Sequence, residues 1–260
     1  MENRHKRKKR RGNNMISKEE ISKISMKTGL NNYQQEKEYF LKLFLFYYFE
    51  NFEDAVFKGG TCMKFIYNLD RFSEDLDFNI TNPELFQKQV GKTLEKIKKI
   101  GFKAEFKKEE LFNEAYACTI AFEGPLFSGN QTSKNSIRID AGKRLGTNLE
   151  PEWNILESEY PETKKNFLVK TMTLEEILAE KIIALHSRQK GRDLFDTWFL
   201  LKKRIKINNK LIEKKAKKIG IKITKKIVSE KDYLRDIKNL TKKYPSYKEA
   251  IKKINENQIL

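Results

Sequence analysis

The stretch Asp75-Leu76-Asp77-Phe78-Asn79-Ile80 alternates strictly between polar and apolar side chains, and no other part of the chain constrains the fold as tightly. Successive strand side chains point to opposite faces, so the run predicts a half-buried strand: Leu76, Phe78 and Ile80 on the core side, Asp75, Asp77 and Asn79 on an open acidic side. Just upstream, Ala55-Val56-Phe57 reads as a short strand broken by Gly59-Gly60, and Thr61 to Tyr67 has helical character. A strand, a Gly-Gly turn and a helix start expose backbone N–H groups to a phosphate. Carboxylates at i and i+2 of the next strand share a face, and a divalent cation relieves their repulsion. Magnesium held by one or two carboxylates and by substrate phosphates is the arrangement expected for phosphoryl or nucleotidyl transfer.

The flanking sequence supplies the layers such a strand needs. Ser17 followed by Glu20 is a capping box opening a short helix that ends near Gly29, and a second helix is predicted from Asn32 to Glu50 with a core stripe of Tyr33, Phe40, Leu41, Phe44 and Tyr48. Pro83 suits the first turn of a helix running to Ile100, which Gly101 ends. Phe102 to Phe106, Ala115 to Phe122 and Asn135 to Ala141 read as strands, the last with Arg138 and Asp140 on the side opposite Ile137 and Ile139. Asp140 is thus the best candidate for a third acid, which would let two metals sit roughly 4 Å apart and activate a hydroxyl. An irregular stretch is expected to about Lys170. Thr173-Leu174-Glu175-Glu176 then caps a helix to Arg188, another follows from Arg192 to Lys203, and helices are expected to the end. The predicted fold is α+β: a mixed sheet with helices on one face, a helical N-terminal segment and a helical C-terminal lobe, divided as 1–14, 15–150 and 151–260.

The chain carries 54 Lys+Arg against 36 Asp+Glu, a formal charge of +18, but residues 1–14 hold 7 basic and 1 acidic, residues 202–260 hold 20 and 6, and residues 15–201 hold 27 and 29. The excess is terminal. The tail His5-Lys6-Arg7-Lys8-Lys9-Arg10-Arg11, expected to be disordered, and the lysine-rich C-terminus fit a polyanion, with nucleic acid first; the plainer alternative is lysines on solvated helix faces. Two cysteines, Cys62 and Cys118, make no disulfide framework, and with His5 and His186 they make no zinc set. The densest apolar stretch, Tyr39 to Phe49, is interrupted by Lys42 and is too short to span a bilayer. A reducing, cytoplasmic setting is expected.

Three segments carry a resemblance to a known family: Phe57-Lys58-Gly59-Gly60-Thr61, Leu69-Asp70-Arg71-Phe72-Ser73-Glu74-Asp75-Leu76-Asp77-Phe78 and Arg192-Asp193-Leu194-Phe195-Asp196. With Glu36-Lys37-Glu38-Tyr39 and Glu175-Glu176-Ile177-Leu178-Ala179-Glu180-Lys181, they resemble the AbiEii/AbiGii-type nucleotidyltransferase toxins of the polymerase-β-like superfamily over about residues 16–201. The resemblance implies a bilobed, magnesium- or manganese-dependent enzyme that transfers a nucleotide from an NTP. It also implies the toxin of a toxin–antitoxin pair with a cognate antitoxin, and a tRNA 3′ end as the leading acceptor. A protein hydroxyl is the rival acceptor, and a catalytically silent nucleic-acid-binding module is the rival of another class.

On this reading Asp75, Asp77 and Asp140 are the metal ligands, and Gly59, Gly60 and Thr61 cradle phosphate. Thr61 is alternatively just a helix N-cap. Arg71 and Ser73 contact phosphate or close the turn before the acidic strand. Lys181 lies on a stripe with Leu174, Leu178 and Leu185; its ammonium either snorkels at the stripe's edge or, as the resemblance implies, reaches the triphosphate. Arg192 and Asp196 are four apart and form a helical ion pair or, by the same resemblance, face the cleft and orient substrate. Lys37 is a cleft cation or a helix-end residue. His186, Cys62 and Cys118 are read as structural.

Overall fold

The computed structural model describes residues 15–224, 227–257 and 259. The basic tail 1–14 lies outside the described residues. The chain opens with α1 (Lys18–Thr28), whose Ser17–Glu20 capping box is formed at both hydrogen bonds and whose C-cap is Gly29 at φ 75°. Helix α2 (Asn32–Phe49) starts from a second box, Asn31 with Gln34, and runs through the centre of the molecule. Phe40, Leu41, Phe44 and Tyr48 are fully buried, while Tyr33 is 50% exposed and stands outside the predicted stripe.

Strand β1 (Val56–Lys58) leads directly into α3 (Gly59–Tyr67), followed by β2 (Asp75–Asn79), α4 (Pro83–Lys99), β3 (Lys103–Phe112), β4 (Ala115–Glu123) and β5 (Asn135–Gly142). Two more strands follow, β6 (Glu152–Glu157) and β7 (Asn166–Thr171), then helices α5 (Leu174–Ser187), α6 (Gly191–Lys202), α7 (Asn209–Lys218), α8 (Glu230–Ile237) and α9 (Tyr247–Glu256). The stretch before Lys170 expected to be irregular is therefore corrected to a hairpin. It joins the sheet beside β1, so the sheet reaches past residue 150.

The seven strands are ordered β3-β4-β5-β2-β1-β7-β6, with β2 parallel to β5, β1 parallel to β7 and the remaining neighbours antiparallel. Phe78 points from β2 into an aromatic layer built by α2 and α4, its ring 5.7 Å from Tyr48 and 5.3 Å from Phe86. Fully burying side chains of this size stabilises the fold by about 1.5–3 kcal/mol each. The other face of β2 and β5 carries the acids and meets α5 and α6 of the helical lobe across a cavity. One row decides what the cavity contains: Lys58 of β1, Asp77 of β2 and Asp140 of β5 are register partners, and Asp75 is opposite Arg138. Strand partners share a face.

Candidate active site

The acidic face is open because the chain turns into α3 without a side chain in the way. Gly59 has φ 78°, a left-handed conformation that glycine alone adopts freely, and a Cβ there would collide with Asp77 Oδ2. A Cβ on Gly60 would collide with the Arg71 guanidinium and lie 2.8 Å from Ser73 Oγ. Both glycines are therefore fixed by close approach. The N-cap of α3 is Lys58, which makes no side-chain capping bond, so the first-turn amides keep their donors for an anion.

Thr61 is not the N-cap of this helix. It sits two residues inside, fully buried, with its hydroxyl 2.9 Å from Ser73 Oγ and donating to the Asp75 carbonyl at 2.6 Å. That hydroxyl ties the helix start to the acidic strand.

A cavity of about 310 Å³ is lined by Gly60, Arg71, Ser73, Asp75, Asp77, Arg138, Asp140, Lys181, Arg188 and Arg192. Eight of these were singled out from sequence; Gly59, Thr61 and Asp196 stand behind the wall. No hydrogen bond or ion pair from the described residues reaches the Asp75 or Asp77 carboxylate. Burial, then the Asp77 charge, pushes the Asp75 carboxyl up to about 6. Burial also raises Asp77, against the opposing pull of Lys58 and Lys181. Asp140 differs: Arg138 holds it in a fork, Nε to Oδ2 at 2.6 Å and Nη2 to Oδ1 at 2.8 Å.

This donor set fits a divalent cation on Asp75 and Asp77, two partnerless oxygen ligands on one face, with coordination left for phosphate oxygens. Among the described residues no group of three or more His, Cys, Asp or Glu is placed to hold a metal ion, and the Asp140 carboxylate is engaged by Arg138.

The cationic wall comes from the helical lobe and is held from behind. Lys181 does not snorkel out to solvent: it is 8% exposed, with Nζ 2.6 Å from Asp196 Oδ2 and 3.6 Å from Asp193 Oδ1. Asp196 does not pair with Arg192. It takes a two-point bond from Arg71 instead, at 2.6 and 2.8 Å. Burial works against its charge, yet Arg71 and Lys181 hold its carboxyl far below the usual range. Arg192 is exposed at the mouth, with no ion pair to a described residue. Lys37 is buried and bonds Glu74 at 2.6 Å, outside the cavity lining. His186 and both cysteines are buried and also outside it.

Two residues escaped the sequence reading. Arg188 lines the cavity and bonds Asp193 at 2.7 Å; it lies seven positions beyond Lys181, on the stripe already recognised. Lys58 stands in register with Asp77 and is braced by Glu180 at 2.8 Å, which in turn meets Lys215 at 2.8 Å. Its strand is three residues long, too short for alternation to reveal its face.

A Gly-Gly helix start and an acid-x-acid strand in a mixed sheet, facing basic groups on a helical lobe, define a polymerase-β-like nucleotidyltransferase. Residues 43–258 match the family described as "Nucleotidyl transferase AbiEii toxin, Type IV TA system", and the chain belongs to that family of nucleotidyltransferase toxins. The fold is shared with MenT4, the nucleotidyltransferase toxin Rv2826c from Mycobacterium tuberculosis H37Rv, at TM-score 0.65 and 14% identity over 94% of this chain and 89% of that one. JHP933 from Helicobacter pylori is similar at TM-score 0.56 and 20% identity, over 87% of this chain and 90% of its own. No curated protein matches by sequence.

Proposed function

We propose that this toxin is a magnesium- or manganese-dependent enzyme that moves a nucleotide from an NTP to an RNA hydroxyl, with a tRNA 3′ end as the acceptor. The carrying observation is the pair Asp75 and Asp77, with no hydrogen bond or ion pair from a described residue, facing a wall of Lys181, Arg188 and Arg192. When bound, the ion would offset the charge that develops on the α-phosphate and the leaving pyrophosphate.

The chain's own groups supply the remainder. The first-turn amides of α3, Lys181, Arg188 and Arg192 bind and orient the triphosphate. Asp140 accepts the proton of the acceptor hydroxyl as Arg138 shifts to phosphate. The acceptor oxygen bonds to the α-phosphorus, the bond to the β-phosphate oxygen breaks, and pyrophosphate departs. Asp196 keeps Lys181 and Arg71 in place. The lysine-rich helical lobe suits a polyanionic acceptor, and the buried free thiols of Cys62 and Cys118 accord with a cytoplasmic site of action. An antitoxin partner follows from the family. No described helix is long and apolar enough to cross a membrane.

The test incubates protein, magnesium and total tRNA with each labelled NTP in turn, beside the Asp75→Ala/Asp77→Ala double variant. Label in RNA with the intact protein only is the expected result. Label in added cell proteins but not in RNA would replace the acceptor, and transfer by the double variant would remove the proposed metal site.

A further inference from the structure

Lysines are spread over the whole surface, but in one place they rim a concavity beside the catalytic loop. The loop Leu69–Phe72, which delivers Arg71 to the active site, is tied to the turn after α8 by a backbone bond from Phe72 N to Leu240 O at 2.7 Å. Between this loop, that turn and the end of α1 lies a cavity of about 610 Å³, rimmed by Lys27, Lys238, Lys242 and Lys243. All four are exposed, and none has an ion pair among the described residues. Arg71 lines both this cavity and the catalytic one.

A second concavity of about 750 Å³ shares Asp70 and Lys243 with the first and adds Trp198, Phe199, Lys202, Lys203 and Tyr244. Here cations and aromatic faces alternate: Lys202 Nζ is 5.1 Å from the Trp198 ring centre and Lys203 Nζ is 5.3 Å from that of Phe199. The lysines of α4 are a useful contrast. Lys88, Lys92 and Lys99 are also exposed and without ion pairs, but they stand on a convex helix that covers the other face of the sheet.

We infer that these two joined concavities are the acceptor-binding track, and that their occupant is single-stranded RNA leading its 3′ end toward the catalytic cavity. The inference rests on the RNA acceptor proposed above. Lysine rows neutralise successive phosphates, while Trp198 and Tyr244 offer faces on which unpaired bases stack without regard to sequence. A flat basic surface would supply only the first of these.

The test uses the full chain with charge reversal at Lys238→Glu/Lys242→Glu/Lys243→Glu, against the matched control Lys88→Glu/Lys92→Glu/Lys99→Glu. The probe is a short labelled single-stranded RNA with a free 3′-hydroxyl, titrated across salt concentrations. For the track variant the account expects affinity at least tenfold weaker and a log–log salt slope shallower by about 2, from roughly 0.7 per phosphate contact. In the transfer assay its KM for RNA rises while kcat and magnesium–NTP binding hold, and the control stays near wild type. Equal losses in both variants would reduce the effect to general charge and overturn the track. Wild-type transfer to RNA that is indifferent to the track variant would overturn it too, leaving the proposed acceptor intact. If the wild type labels protein and binds no RNA, track and acceptor fail together.

Discussion

Two clusters of charge, one behind the walls of the catalytic cavity and one on its floor, obey opposite rules. In the first, every charge has a partner: Asp196 is clasped by Arg71 and Lys181, and Lys215, with a fully buried side chain, sits 2.6 Å from Glu176 and 2.8 Å from Glu180. Glu176 also receives the Asn148 and Leu149 amides, and Lys215 donates to the Gly146 carbonyl, so the loop after β5 is pinned to the helical lobe. In the second, Asp75 and Asp77 share a strand face with no hydrogen bond or ion pair from a described residue. A chain with 54 lysines and arginines is not short of cations. Paired buried charge builds the cavity, whereas the half-buried, unpaired carboxylates are what the cavity is for.

The largest effect is expected in activity. Asp77→Asn should reduce nucleotide transfer by on the order of a thousandfold or more while the protein stays folded, as read by label incorporation and circular dichroism. Asp196→Ala should act on the other side of the comparison. It leaves Arg71 buried without its partner and Lys181 with only the more distant Asp193, and should cost about 3–5 kcal/mol in denaturant unfolding. Lys215→Met should fall in the same range or somewhat below, because Glu180 keeps Lys58 while Glu176 loses its cation.

Titration gives a finer distinction. Asp75 in the folded, metal-free protein titrates at about 6, against an ordinary 3.8, so the folded state holds its proton more tightly than the unfolded chain. Its contribution to stability is fully present below the ordinary value and is lost as pH rises through about 6. Asp75→Asn should therefore raise the metal-free melting temperature at pH above that value, by roughly 2–4 °C for each kcal/mol recovered. The smallest effect expected is that of Thr61→Val, which removes the hydroxyl bonds to Ser73 and the Asp75 carbonyl and should cost about 1 kcal/mol in thermal unfolding.

Much of this was legible from the chain because the decisive strand alternates without a break and the glycines before it admit few conformations. The caps at Ser17 and Thr173 and the first-turn Pro83 marked helix starts for the same local reason. What escaped detection depended on distant partners. In β6 only Leu156 is fully buried, while Trp153 is 45% and Ile155 62% exposed, so an edge strand with its apolar residues outward gave no usable alternation. Sequence spacing offered Arg192 to Asp196, but Arg71, 125 residues away, takes that carboxylate with better two-point geometry. The Arg138 fork on Asp140 was visible as a pattern, since the two share a strand face, although its geometry was not.

The most direct measurement of the central claim, that Asp75 and Asp77 are completed by a divalent cation, is a magnesium titration followed by thermal unfolding of the wild type and of Asp77→Asn. The account predicts a magnesium-dependent rise in melting temperature for the wild type, larger at pH 7.5 than at about 5.5 where Asp75 holds its proton, and no rise for the variant. Equal magnesium responses in the two proteins would contradict it.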